Sequence, residues 1–125
     1  MNTESESAPR IISTSGLQWL VLPGEAQATY TNFGDGCKGD ASELVAAVNA
    51  DPSLNQGHTD WRLPTLDELK TLIGTDHAPA GGWFWSSSPY VGMSGHNWSV
   101  NFYFGYADCS SRNYNLYVRL VRASQ

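Results

Sequence analysis

Charge is scarce in this chain. Only 15% of its 125 residues are Asp, Glu, Lys or Arg, against about a quarter in an ordinary soluble domain. Cations are scarcer still: seven, scattered at Arg10, Lys38, Arg62, Lys70, Arg112, Arg119 and Arg122, for a formal net charge of -5. Neutralising phosphates needs clustered Lys and Arg, so neither nucleic acid nor an anionic membrane is an expected partner. No apolar run approaches the ~20 residues that cross a bilayer, and membrane insertion is not expected. Met1 to Arg10 is polar, carries Glu4 and Glu6, and lacks the apolar stretch of a signal peptide. The chain is therefore expected to be made for the cytoplasm, or to leave it by a route that reads no such signal, such as release of virus particles by lysis. Cysteine is nearly absent. Cys37 and Cys109 could pair, but nothing in the sequence requires it, and without an export signal free thiols are the expectation.

Recognisable catalytic patterns are missing as well. His58, His77 and His96 lie far apart without metal-ligand spacing. There is no Gly-x-Ser-x-Gly elbow, P-loop or dinucleotide fingerprint. Asn32, Asp35 and Asp40 form a loose acidic group, but not at the spacing of an EF-hand calcium loop. No enzymatic activity, metal or cofactor is expected.

What the chain does have is apolar and aromatic material. At 41% apolar residues with five Trp, one domain can build one core without staples. Residues 1–10 read as a flexible arm and 11–125 as a single domain. Leu17-Gln18-Trp19-Leu20-Val21-Leu22, closed by Pro23-Gly24, reads as a strand, and Glu25 to Gly39 mainly as loop. Asp40 with Glu43 predicts a capping box for a helix bearing Leu44, Val45 and Val48, ended by Asp51-Pro52. Thr65 with Glu68 predicts a second box, for a helix that buries Leu66, Leu69, Leu72 and Ile73 and stops at Gly74. Beyond Gly82 the period becomes two. Trp98, Val100, Phe102 and Phe104 alternate with Ser99, Asn101 and Tyr103, which predicts a half-buried strand with Trp98 and Phe102 in the core. Trp83-Phe84-Trp85 and Tyr117 to Arg122 supply further strands. The order predicts an α+β domain: two helices packed on a mainly antiparallel twisted sheet with long loops.

Three segments carry a resemblance: Trp61-Arg62-Leu63-Pro64-Thr65 with Glu68-Leu69, then Trp85-Ser86-Ser87-Ser88, then Val118-Arg119-Leu120-Val121-Arg122. Together with Gly16-Leu17-Gln18-Trp19 and Asp40-Ala41 they resemble the Lcl C-terminal domain family, a bacterial and phage branch of the C-type-lectin-like fold. The resemblance implies that fold over about residues 15 to 122. The motif residues also have a physical reading of their own, as framework: Trp61 anchors the second helix, Arg62 pairs with a carboxylate or carbonyls, and Arg119 and Arg122 brace loops. Family members often carry a Cys in the first helix and another between the closing Val-Arg pairs. Here Val45 and Leu120 stand at those places, which implies packing instead of a disulfide. The Glu-Pro-Asn, Gln-Pro-Asp and Trp-Asn-Asp calcium-sugar motifs of animal C-type lectins are absent, as is the paired-cysteine site of the formylglycine-generating enzymes.

Composition changes from Ser86 to Tyr117, where 19 of 32 residues are Ser, Tyr, Asn or Gly and none is Lys or Glu. Tyr gives contact area at low entropy cost, while Ser, Asn and Gly hydrogen-bond adaptably. Two loops are predicted, Pro89 to Asn97 and Gly105 to Asn115. The candidate ligand-binding residues are Tyr106, Arg112, Asn113 and Tyr114, then Tyr90, His96 and Asn97. The alternative is that these tyrosines simply cover the sheet. The leading functional expectation is a non-catalytic adhesion or receptor-binding module of phage or prophage origin, recognising a surface glycan or protein. A virion decoration or tail-assembly protein, which could form homo-oligomers, and a small cytoplasmic protein that binds and inhibits a host protein are the other two readings.

Overall fold

The computed structural model describes residues 8–14 and 16–124. The predicted arm lies outside the described residues except for Ala8 to Arg10, and Arg10 already opens a strand. The described residues form six strands and three helices: β1 (Arg10–Thr14), β2 (Leu17–Val21), α1 (Ala41–Asn49), α2 (Pro52–Asn55), α3 (Leu66–Lys70), β3 (Trp83–Pro89), β4 (His96–Asn101), β5 (Tyr106–Ser111) and β6 (Leu120–Ala123). The class is α+β. The strands divide between two antiparallel three-stranded sheets, ordered β1-β2-β6 and β3-β4-β5. Isolated bridges link the rest, Arg62 to Val121, Tyr30 to Leu116 and Phe84 to Tyr117.

Neighbouring residues on a strand face opposite ways, and three strands carry an apolar residue on each side. Trp19, Phe84 and Val121 enter one core with Leu69, Leu72 and Val100. Leu20, Trp85 and Leu120 enter the other, with Val48, Trp61 and Val118. A strand covered on both faces reads as a continuous apolar run, which is why Trp19-Leu20 and Trp83-Phe84-Trp85 stand out in the sequence.

The helix starts follow their local signals with one correction. At α3 the box is complete: Thr65 Oγ1 accepts from Glu68 N, and Glu68 accepts from Thr65 N. At α1 it is half formed. Asp40 accepts from Ser42 N, but Glu43 reaches Gly39 N instead of its cap's own amide, which donates to Cys37 O. Asp51 does more than end α1, since it caps α2 by accepting from Ser53 N.

Three further corrections concern strands. β1 was not foreseen; it pairs with all of β2, from Arg10 opposite Val21 to Thr14 opposite Leu17. The predicted strand through Phe104 stops at Asn101. Asn101 Oδ1 accepts the amides of Tyr103 (2.8 Å) and Phe104 (3.0 Å), folding the chain into a turn. Gly105 closes it at φ +79°, where a Cβ would meet Ile73 at 3.2 Å. Phe104 is thereby turned outward instead of inward. The alternation along β4 also differs: Asn97, Ser99 and Asn101 are buried, while Trp98 is half-buried. Phe102 is half-buried too, edge-on to Phe84.

Candidate ligand-binding face

The segment with the unusual composition forms two consecutive hairpins. Between β3 and β4 the chain turns at residues 90–95, and between β4 and β5 at 102–105. Predicted loop Gly105 to Asn115 is therefore mostly strand: β5 occupies Tyr106–Ser111, opposite Asn101 to His96.

That register splits the candidate residues between two ends of one hairpin. His96 lies opposite Ser111, beside the turn that carries Arg112, Asn113 and Tyr114. Tyr106 lies opposite Asn101 at the other end. Five steps along β5 separate Tyr106 from Ser111, about 17 Å. The candidate residues therefore lie at two places along the hairpin and not in one cluster.

At the first end the polar candidates hold the turns in place. Arg112 Nε donates to Asn97 Oδ1 at 2.7 Å, and Asn97 Nδ2 donates to Ser86 O at 3.3 Å. Asn32 Nδ2 donates to the same carbonyl at 3.0 Å, and Asn32 N donates to Arg112 O. Arg112 N donates to Gly95 O, which ties the two turns together. Asn97 is buried, and both ends of its amide are engaged inside the protein. Asn113 Oδ1 accepts from Ser111 Oγ. His96 Nδ1 lies 3.0 Å from Ser94 O, a contact that requires the proton on Nδ1. Tyr90 is half-buried, edge-on to Trp98 at 4.8 Å. Tyr114, Met93 and Val91 are exposed.

The second end is aromatic. Trp83 and Tyr106 meet edge to face at 5.5 Å, Tyr106 and Phe104 lie 6.5 Å apart, and Phe104 stacks on Tyr103 at 5.0 Å with 20° between the rings. Tyr103 is 76% exposed, Phe104 73% and Tyr106 47%. A groove of about 340 Å³ runs beside Tyr103, floored by Phe84, Tyr117 and Gly82. Only glycine fits at Gly82: its φ is +94°, and a Cβ would stand 2.8 Å from the Tyr117 ring. Of this strip only Tyr106 was a candidate. Tyr103 and Phe104 were missed, although Asn101 and Gly105 flanking them are turn residues.

Neither the acidic group nor the cysteines form a centre. Asp40 Oδ1 accepts from Thr31 Oγ1 and Phe33 N, and Oδ2 from Gly34 N, Ser42 N and Ser42 Oγ. Burial would raise its pKa, but these donors outweigh burial and hold the carboxyl at about 2. Asp40 thus pins the 31–39 loop to α1. Asp35 accepts from Cys37 N, and Asn32 faces Ser86, so the three do not converge. Among the described residues no three His, Cys, Asp or Glu side chains are grouped to hold a metal ion. Cys37 and Cys109 are both free thiols, and the Asp35 charge pushes the Cys37 thiol pKa up. No helix among the described residues is long and apolar enough to cross a membrane.

The Lcl C-terminal domain model matches residues 13–122, nearly the whole chain. The chain belongs to that family. No curated protein matches it. As an Lcl C-terminal domain it has a lectin-like fold and is a ligand-binding or adhesion-type module. The three motif segments of this Lcl domain meet in space. Ser87 N donates to Pro64 O at 2.7 Å and Leu66 N to Ser88 Oγ at 2.9 Å, joining the Trp-Arg-Leu-Pro-Thr segment to the serine run. Arg62 and Val121 exchange backbone hydrogen bonds, joining it to β6. Arg62 also forks onto Glu68 at 2.8 and 2.9 Å. Arg119, 4% exposed, forks onto Glu25 and donates to His77 O, bracing two loops. Arg122 donates to Asp60, in the loop before Trp61, and to Gln18 opposite it on β2. Val45 packs against the core that contains Leu120.

Proposed function

We propose that this Lcl domain is a phage or prophage receptor-binding module that attaches to a surface glycan or protein through the aromatic turn end of its β4–β5 hairpin. The observation that carries the reading is the contiguous strip Trp83–Tyr106–Phe104–Tyr103, with the Tyr103 and Phe104 rings largely in water and Tyr106 about half exposed. Clustered exposed rings are unfavourable on a free surface and mark contact sites. Held on a hairpin closed by Asn101, they lose little freedom on binding. Tyr114, with Arg112 and Asn113 beside it, forms a secondary contact at the other end. His96 and Tyr90 line that end, and Asn97 supports it from beneath.

The test is capture by the immobilised domain from separated envelope and cytosol fractions of the bacterial host. Two controls run beside it, Phe104→Ala/Tyr106→Ala and Tyr90→Ala/Tyr114→Ala. Capture of an envelope component, lost in the first variant, is the expected result. One cytosolic protein captured instead would make this an intracellular inhibitor. Self-association through the strip, with nothing else bound, would make it a virion structural protein.

A further inference from the structure

We infer that the aromatic strip, with Asp108 at its end, takes arginine or lysine side chains of a protein partner. The inference rests on the strip being the contact surface proposed above, and it names the chemistry of what sits there.

Tyr106 and Asp108 are exposed neighbours on one side of β5, two residues and therefore about 7 Å apart. Asp108 Oδ1 accepts the amide of Cys109 at 2.8 Å, which fixes the carboxylate in place. An aromatic face attracts a cation, and a guanidinium can lie on a ring while its end reaches a carboxylate. Residues 81–111 contain neither Lys nor Arg, and the cation–ring contact found among the described residues is Arg122 over Trp61, away from the strip. Elsewhere Arg62, Arg119 and Arg122 are paired with Glu68, Glu25 and Asp60. Each pair is internally neutral, so the net charge of -5 stays with the rest of the chain and favours a basic partner.

The same strip is poorly equipped for a sugar. A sugar ring offers hydroxyls that need several directed polar side chains. The amide opposite Tyr106, Asn101, is buried with its oxygen held by Tyr103 N and Phe104 N.

The experiment is an NMR titration of the whole domain with a peptide of repeated Arg-Gly-Gly units, with its citrulline counterpart, and with maltoheptaose. The expected result is movement of the Tyr103, Phe104 and Tyr106 ring signals and of the Trp83 Nε1–H with the arginine peptide alone. Binding should weaken as salt rises. It should weaken about two- to fivefold in Phe104→Ala and about two- to fivefold in Asp108→Asn, both surface changes. Equal movement with the citrulline peptide overturns the inference. Movement of the same signals with maltoheptaose alone also overturns it, while leaving the strip as the binding face. If only signals from residues 90–97 and 112–115 move, both the inference and the strip's role fail. No movement with the arginine peptide overturns the inference outright.

Discussion

The framework around Arg119 and the strip around Phe104 invert each other's chemistry. In the framework a charged side chain is buried with a partner for each arm, Glu25 for one side of its fork and the His77 carbonyl for the other. In the strip the stacked rings of Tyr103 and Phe104 stand largely in water. Buried polar groups must be satisfied within the fold, whereas exposed rings are satisfied only by something outside it. Stability and recognition should therefore be separable by mutation. The framework can be broken without touching the strip, and the strip can be erased without loosening the framework.

The largest break is expected in the framework. Arg119→Ala leaves the Glu25 carboxylate largely buried and unpaired, which should destabilise by about 3–5 kcal/mol in urea unfolding. Replacing both partners, Arg119→Met with Glu25→Leu, should recover most of that loss, because two apolar groups leave no stranded charge. A single variant as stable as the parent would show that Glu25 simply turns to water, and the contrast with the strip would lose its strongest case.

Asp40 sharpens the comparison through pH. Its folded pKa of about 2 lies below the ordinary 3.8, so the ionised form is favoured by folding. That contribution is complete above about pH 4 and is lost as pH falls towards 2, as the folded carboxyl takes up its proton. It is worth about 2 kcal/mol at neutral pH. Asp40→Asn should be destabilised by that order at pH 7 and show a shallower decline between pH 4 and 2. Parallel pH profiles would contradict the hydrogen-bond pattern around this carboxylate. Thr65→Ala should act more weakly, by about 1 kcal/mol, since it removes one N-cap.

Where the sequence is informative, the physics is local. Thr65 and Glu68 are three residues apart and find each other in the α3 box. Asp40 succeeds for the same reason at Ser42 N, yet Glu43 has a choice of nearby amides and takes Gly39 instead. The strip fell outside that reach. Phe104 continues a period-two pattern perfectly well, and only the Asn101 turn, closed at Gly105, sends it outward. Asn97 shares the Ser86 carbonyl with Asn32, which reaches it from the loop before α1. No window along the chain contains both. The division of the candidate residues between two hairpin ends is likewise a property of register, which sets Tyr106 opposite Asn101 and His96 opposite Ser111.

The smallest expected effect is the most telling for the comparison. Phe104 is held in its turn by backbone contacts to Asn101, and its ring is 73% exposed, so removing the ring leaves no cavity. Phe104→Ala should change unfolding stability by less than about 0.5 kcal/mol, while abolishing much of the capture that the domain shows. A loss of stability near 2 kcal/mol would mean that the stacked rings hold the hairpin together. The strip would then belong to the framework, and recognition would have to move to the end of the hairpin where Tyr114, Met93 and Val91 are exposed.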